Sequence, residues 1–160
     1  MQVRKATAVD APAVLACLAA AFEEYRGQYT PGAFTDTVLD PQRLQVRLRE
    51  MCLFVVVAEG NVAGTIGCAL NGLEAHIRGM AVLPEWQGKG LASALLEAAE
   101  HELRRKGYEY VTLDTTAPLQ RAMRFYEKNG YRATGKVVDF FGMPLYEYSK
   151  VLLVSAGKDK

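Results

Sequence analysis

The sequence predicts a single mixed α/β domain, and three observations point to it. The chain has 160 residues, half of them apolar, which is enough for one buried core and too little for two full domains. Stretches of helical periodicity interleave with short β-branched runs, the pattern of helices layered on a sheet. One strand-like run also feeds a glycine-bearing loop that passes directly into a long helical segment. The domain is expected to cover residues 1–154, with 155–160 as a polar tail.

Residues 1–6 alternate weakly and suit a short strand. Residues 11–24 follow as a helix, with Val14, Leu15, Leu18 and Phe22 at helical spacing and Asp10 and Pro12 as N-cap and first-turn signals. Residues 25–34, with Gly27, Pro31 and Gly32, lack periodicity and predict an exposed loop. Asp40 and Pro41 open a basic helix over 40–50. Segments 52–58 and 62–70 are apolar strands joined through Glu59, Gly60 and Asn61, a hairpin spacing. A further strand over 74–83 ends at Pro84, and the helix after the loop buries Leu91, Leu95, Ala98, Ala99 and Leu103 and stops at Gly107. Strand character resumes at 110–113. Pro118 opens a helix closed by Asn129 and Gly130, and 137–138 and 145–154 supply closing strands.

Composition excludes several classes. Nineteen basic against eighteen acidic residues leave no global field to attract nucleic acid or an anionic membrane. Arg43, Arg47 and Arg49 form only a local stripe, read as a solvated helix face. Three cysteines, Cys17, Cys52 and Cys68, lack CxxC spacing, so neither a disulfide framework nor a zinc site is expected, and a cytoplasmic setting fits. The apolar run 11–22 is too short to span a membrane, and Asp10 and Pro12 mark it as a helix start rather than a secretory signal. No metal is implied, and His101 lacks the second histidine of a zinc-binding His-Glu-x-x-His motif.

The chemistry concentrates in Met80-Ala81-Val82-Leu83-Pro84-Glu85-Trp86-Gln87-Gly88-Lys89-Gly90-Leu91-Ala92. Free amides in a helix's first turn carry partial positive charge, and Gly88 and Gly90 let an anion approach the backbone. Several converging charge-assisted hydrogen bonds can therefore hold a pyrophosphate. A ligand-free strand-to-helix turn is the plainer alternative. Ser93 breaks the Rossmann fingerprint and Gly90 after Lys89 breaks the P-loop.

Gln87-Gly88-Lys89-Gly90-Leu91-Ala92, preceded by Ala81-Val82-x-Pro84, resembles the Arg/Gln-x-x-Gly-x-Gly/Ala signature of the GNAT superfamily of acyl-CoA-dependent N-acetyltransferases. Phe125-Tyr126-Glu127-Lys128-Asn129-Gly130-Tyr131 resembles that family's downstream segment, and together the two motifs cover about residues 74–135. The resemblance implies a splayed, mostly antiparallel sheet flanked by helices, whose strand over 74–83 carries a bulge and parts from the strand over 110–115. It implies acetyl-CoA as co-substrate, with Met80, Ala81 and Val82 along the pantetheine and Gln87, Gly88, Lys89, Gly90, Leu91 and Ala92 at the pyrophosphate. A backbone amide near Met80 would polarise the thioester.

In the same reading Tyr126 is the general acid, protonated at neutral pH and able to neutralise the departing thiolate. His76 stands where many relatives place a glutamate base, and Glu74 and Arg78 share its face by the two-residue repeat. His76 and Glu74 are the two candidate bases. Leu119 replaces a family asparagine, so that contact is expected to be lost; Thr115 and Thr116 either supply a hydroxyl instead or cap the next helix. The expected reaction is acetyl transfer to a primary amine on a small molecule by direct attack in a ternary complex. Glu23, Glu24, Tyr25, Tyr29, Phe34, Asp139, Phe140, Phe141 and Tyr146 would frame a cationic acceptor with an apolar part. A homodimer is compatible with this reading, and the alternative is a non-catalytic CoA-binding or partner-binding module on the same fold.

Overall fold

The alternation of strands and helices resolves into a seven-stranded sheet in the order β1-β2-β3-β4-β5-β7-β6, in a computed structural model that describes residues 1–152. The strands are β1 Gln2–Lys5, β2 Cys52–Ala58, β3 Asn61–Asn71, β4 Glu74–Val82, β5 Tyr110–Thr115, β6 Arg132–Phe140 and β7 Met143–Val151. The helices are α1 Ala11–Phe22, α2 Pro31–Thr37, α3 Pro41–Glu50, α4 Leu91–Arg105 and α5 Gln120–Lys128. The tail expected at 155–160, with the end of the predicted last strand, lies outside the described residues.

Leu53 to Val56 of β2 are buried without a break, their side chains turned alternately to the two faces, which shows how helices come to cover both. Phe54 and Val56 pack with Ile66, Ile77, Leu95, Leu96 and Leu103 beneath α4, while Leu53 and Val55 pack with Val14, Leu18 and Leu44 of α1 and α3 on the opposite face. Buried Glu100 of α4 accepts from the Tyr131 hydroxyl at 2.8 Å and from Lys150 Nζ at 2.9 Å, which ties α4 to the far strands.

Two irregularities open the sheet in the middle. β4 and β5 run parallel and pair only at His76 with Thr112 and Ile77 with Leu113, whereas every other neighbouring pair is antiparallel. Across β3 and β4 the register jumps, Thr65 facing Ala81 and Gly67 facing Arg78, so Gly79 and Met80 together oppose Ile66. Gly79 takes φ +66°, a conformation that a side chain disfavours, and the bulge turns β4 away from β5. The rest of β4 is left without a partner strand on that side.

Several expectations are corrected. Residues 25–34 are not an exposed loop: a 3-10 turn, Glu23–Gln28, ends α1 two residues early, and α2 follows, capped by Thr30. Tyr29 and Ala33 are buried there with Met143, an ordering that comes from docking on the β6–β7 hairpin and so has no local periodicity. Asp10 does not cap α1 through its side chain. Its carboxylate instead accepts from both Arg4 guanidinium ends, at 2.8 and 2.9 Å, and from the Thr7 amide at 2.8 Å. The Arg4 bonds lead in pulling its pKa down to about 2. The helix expected at Pro118 begins at Gln120, and β6 extends well beyond 137–138.

Candidate active site

The parted edges of β4 and β5 enclose a cavity of about 820 Å³, with one half facing α4 and α5 and the other facing α1 to α3. In the first half, Met80, Ala81 and Val82 line the unpaired edge, followed by Gln87, Gly88, Gly90 and Ala92. Lys89 and Leu91 do not line it: Lys89 Nζ stands 5.4 Å from the Trp86 ring centroid, and Leu91 is in the core. Gly90 is the α4 N-cap at φ +88° and no side chain caps the helix, so its first-turn amides stay available to an anion. A β-carbon at Gly88 or Gly90 would meet nothing within 4 Å, so the approach to those amides is open. The Gln87 side-chain amide donates to the Val82 carbonyl at 3.1 Å and fixes the loop to the end of β4.

Tyr126 enters this half from α5. Its hydroxyl is 3.6 Å from Met80 Sδ beside the bulge, and its ring packs on Phe125 and Tyr131. Burial raises its pKa, which keeps the phenol protonated. Thr115 Oγ1 is buried without a hydrogen-bond partner, and Thr116 Oγ1 lies 2.7 Å from the Tyr29 hydroxyl. Neither caps α5, whose N-cap is Leu119. An unpaired strand edge, uncapped amides and an orphan hydroxyl in one cleft fit the pantetheine and pyrophosphate of coenzyme A, which need strand-like and anion-binding donors.

The other half holds His76, Arg78, Asp114, Arg47 and Asp36 beneath Phe22, Tyr25, Tyr29 and Phe140. His76 Nε2 is 3.0 Å from Asp114 Oδ2, and Nδ1 is 2.6 Å from Thr112 Oγ1. Both ring nitrogens are thus engaged, and the Thr112 hydroxyl also reaches the Ala75 carbonyl at 3.4 Å. Glu74 is not part of this group. It pairs with Asn71 beside the β3–β4 turn, is exposed, and does not line the cavity. Strand alternation put it on the His76 face, but two residues along a strand carry it about 6.6 Å further from the opening.

The carboxylates expected around the acceptor are largely engaged elsewhere. Glu23 binds Arg26 at 2.9 Å, Glu24 binds Arg121 at 2.9 Å, and Asp139 accepts from the Gly142 amide at 3.3 Å. Sequence reasoning missed Asp114, Thr112, Arg47 and Asp36 as members of the site. Alternation on β5 places Thr112 and Asp114 on one face, but only the parallel register brings that face to His76.

A splayed sheet with a bulged central strand and a glycine loop at a helix start frames the cleft. The chain matches the acetyltransferase (GNAT) family model over residues 18–131 and belongs to that family. The aminoalkylphosphonate N-acetyltransferase of Salmonella typhimurium is 30% identical over 82% of this chain and 84% of that protein. An uncharacterized N-acetyltransferase of Escherichia coli, YjgM, is 40% identical over 49% of each chain, so this match spans about half of that relative's length. The match to the N-acetylaspartate synthetase of Danio rerio spans 32% of that protein. The PaiA N-acetyltransferase of Thermoplasma acidophilum, solved with coenzyme A, superposes with a TM-score of 0.79 at 19% identity, covering 94% of this chain and 98% of its own. These neighbours share the fold. Among the described residues no group of histidine, cysteine, aspartate and glutamate is arranged to hold a metal, and no helix is long and apolar enough to cross a membrane.

Proposed function

We propose that the chain transfers an acetyl group from acetyl-CoA to a primary amine on a small molecule. The observation that carries the reading is the continuity of the cleft: β4's unpaired edge runs into the uncapped α4 amides, with the Tyr126 hydroxyl facing Met80 at the bulge. Met80, Ala81 and Val82 would hold the pantetheine by strand-like backbone bonds, and the amides from Gln87 to Ala92 the pyrophosphate. Acetyl-CoA supplies the activated acetyl group. The protein supplies orientation, which accounts for most of the rate in such a reaction.

Tyr126 acts first as a hydrogen-bond donor to charge developing on the leaving sulfur. Its raised pKa makes complete proton transfer uphill at the outset, so stabilising the thiolate is the larger part of its role. At the other end the His76–Asp114 pair receives the amine. Asp114 anchors the ammonium and its carboxylate receives the proton that must leave before attack, while His76, held to the same carboxylate through Nε2, positions it. Thr112 holds the ring in place.

A small acceptor is supported by the roof over this half. The Thr30 hydroxyl donates to the Phe141 carbonyl at 2.7 Å, and Tyr29 and Thr116 are joined at 2.7 Å, so the segment after α1 is tied across to the β6–β7 hairpin and to the end of β5. The Salmonella relative that covers most of the chain is also named for a small amine. The test is thiol release from acetyl-CoA across a panel of small amines and N-terminal peptides. Amine-dependent release confined to small molecules is expected; release only with peptides would overturn the acceptor class, and no release with any amine would overturn the activity.

A further inference from the structure

The acceptor half of the cavity contains a guanidinium group with nothing to bind. Arg47 reaches from α3 over the bulge, where a β-carbon on Gly79 would stand 3.0 Å from its Nη1. Among the described residues it has no hydrogen-bond acceptor and no carboxylate at ion-pair distance. Its charge is felt instead by Arg78 and more weakly by Asp36, and burial with Arg78 lowers its pKa to about 10, still a cation at neutral pH.

Its neighbours do not compensate it. Arg78 lines the same wall and meets Asp36 only at 3.9 Å. Asp114 is bonded to His76 at 3.0 Å, and Arg121 is held by Glu24 and Tyr25 at 2.9 and 3.2 Å. A half-buried, unpaired arginine beside a second arginine is unfavourable in the empty protein, and an anion in the cavity relieves it. Planar guanidinium forks match carboxylate and phosphonate oxygens, and two of them lining one cavity favour such a group over a neutral one.

We propose that Arg47 and Arg78 bind an anionic oxyacid group, a carboxylate or a phosphonate, on the acceptor. The substrate class is then a short amino acid or amino phosphonate rather than a cationic amine. The proposal rests on the acetyl-transfer reading for the fate of the amine. Its spacing comes from the bulge: Arg47 stands over Gly79, and Met80, at the reacting centre, is the next residue, about 3.8 Å away along the backbone. The acceptors chosen to test it accordingly carry the anion and the amine on a short spacer.

The experiment has two arms, which separate failure of this proposal from failure of the acetyl-transfer reading. In the first, thermal midpoints of the wild-type protein, Arg47→Met and Arg78→Met are measured against propionate and methylphosphonate, with coenzyme A saturating so that the α4 loop is filled. A saturable rise in wild type that is lost in Arg47→Met and weakened in Arg78→Met is expected, and the more effective anion identifies the oxyacid. No rise in wild type, or a rise that survives in Arg47→Met, overturns the proposal. In the second arm, kcat/KM is compared for β-alanine, 2-aminoethylphosphonate and the neutral β-alaninamide. At least one anionic acceptor should exceed the amide by about tenfold or more, and Arg47→Met should collapse that ratio. Turnover without anionic preference overturns the anion site alone. Should no amine be turned over, the acetyl-transfer reading fails and the first arm still decides whether the anion site exists. If Arg47→Met fails to fold, Arg47→Lys, which keeps the charge and loses the fork, replaces it with a reduced ratio expected.

Discussion

Replacing Tyr126 with phenylalanine isolates one hydroxyl from everything else that residue does. The ring stays packed, its centroid 5.6 Å from Phe125 and 5.7 Å from Tyr131, and the hydroxyl's one hydrogen-bond partner among the described residues is Met80 Sδ at 3.6 Å, a weak acceptor. The cost in stability should be under about 1 kcal/mol, because a buried hydroxyl without a strong partner contributes little and deleting it relieves desolvation. The cost in rate is separate. A hydrogen bond to a charged group contributes about 1.5–3 kcal/mol, and at 1.36 kcal/mol per decade this predicts a fall in turnover of about 10- to 150-fold. The assay is thiol release at saturating acetyl-CoA and amine, with cofactor affinity titrated in parallel and expected to move little. Full turnover by a folded Tyr126→Phe protein, from neutral to mildly alkaline pH, would refute the donor role. A loss of cofactor affinity that accounts for the whole effect would show that the hydroxyl binds rather than promotes departure.

Other perturbations test the remaining parts of the cleft. Gly90→Glu places a carboxylate at a φ +88° helix start beside the expected pyrophosphate, in space free of protein atoms, so calorimetry should show acetyl-CoA affinity reduced by tenfold or more in a folded protein. His76→Ala and Asp114→Asn should each lower turnover by roughly 10- to 100-fold, while Glu74→Gln, remote from the cavity, should match wild type; the reverse pattern would return the base to Glu74. Asp10 bears on stability: with its pKa drawn down to about 2 by Arg4, its contribution is complete above the ordinary carboxyl range near pH 4 and is lost as pH falls toward 2. Thermal midpoints of Asp10→Asn and wild type should therefore differ at neutral pH and converge in acid. Lys150→Met leaves Glu100 buried with its Tyr131 bond and Arg104 at 3.5 Å but without its closest cation, and chemical denaturation should show a loss of about 1–2 kcal/mol.

Much of this molecule is written locally in its sequence. The hairpin of β2 and β3, the long helix that stops at Gly107 and the glycine loop before it follow from periodicity and turn chemistry, which act over a few residues and survive any rearrangement of distant parts. The two motifs around Gly88 and Tyr126 are of this kind, which is why the family could be anticipated, along with the strand edge and glycine loop that line one half of the cleft. The acceptor half could not. Whether Asp114 meets His76 depends on a parallel register of two residue pairs between β4 and β5, and Arg47 becomes part of the cavity only because α3 packs over a bulge that leaves Gly79 bare. The roof formed after α1 likewise takes its shape from Met143 and Phe141, more than a hundred residues away. In each case the deciding contact joins segments far apart in the chain, and its energy exists only once the sheet has assembled, so residue pattern alone carries no trace of it.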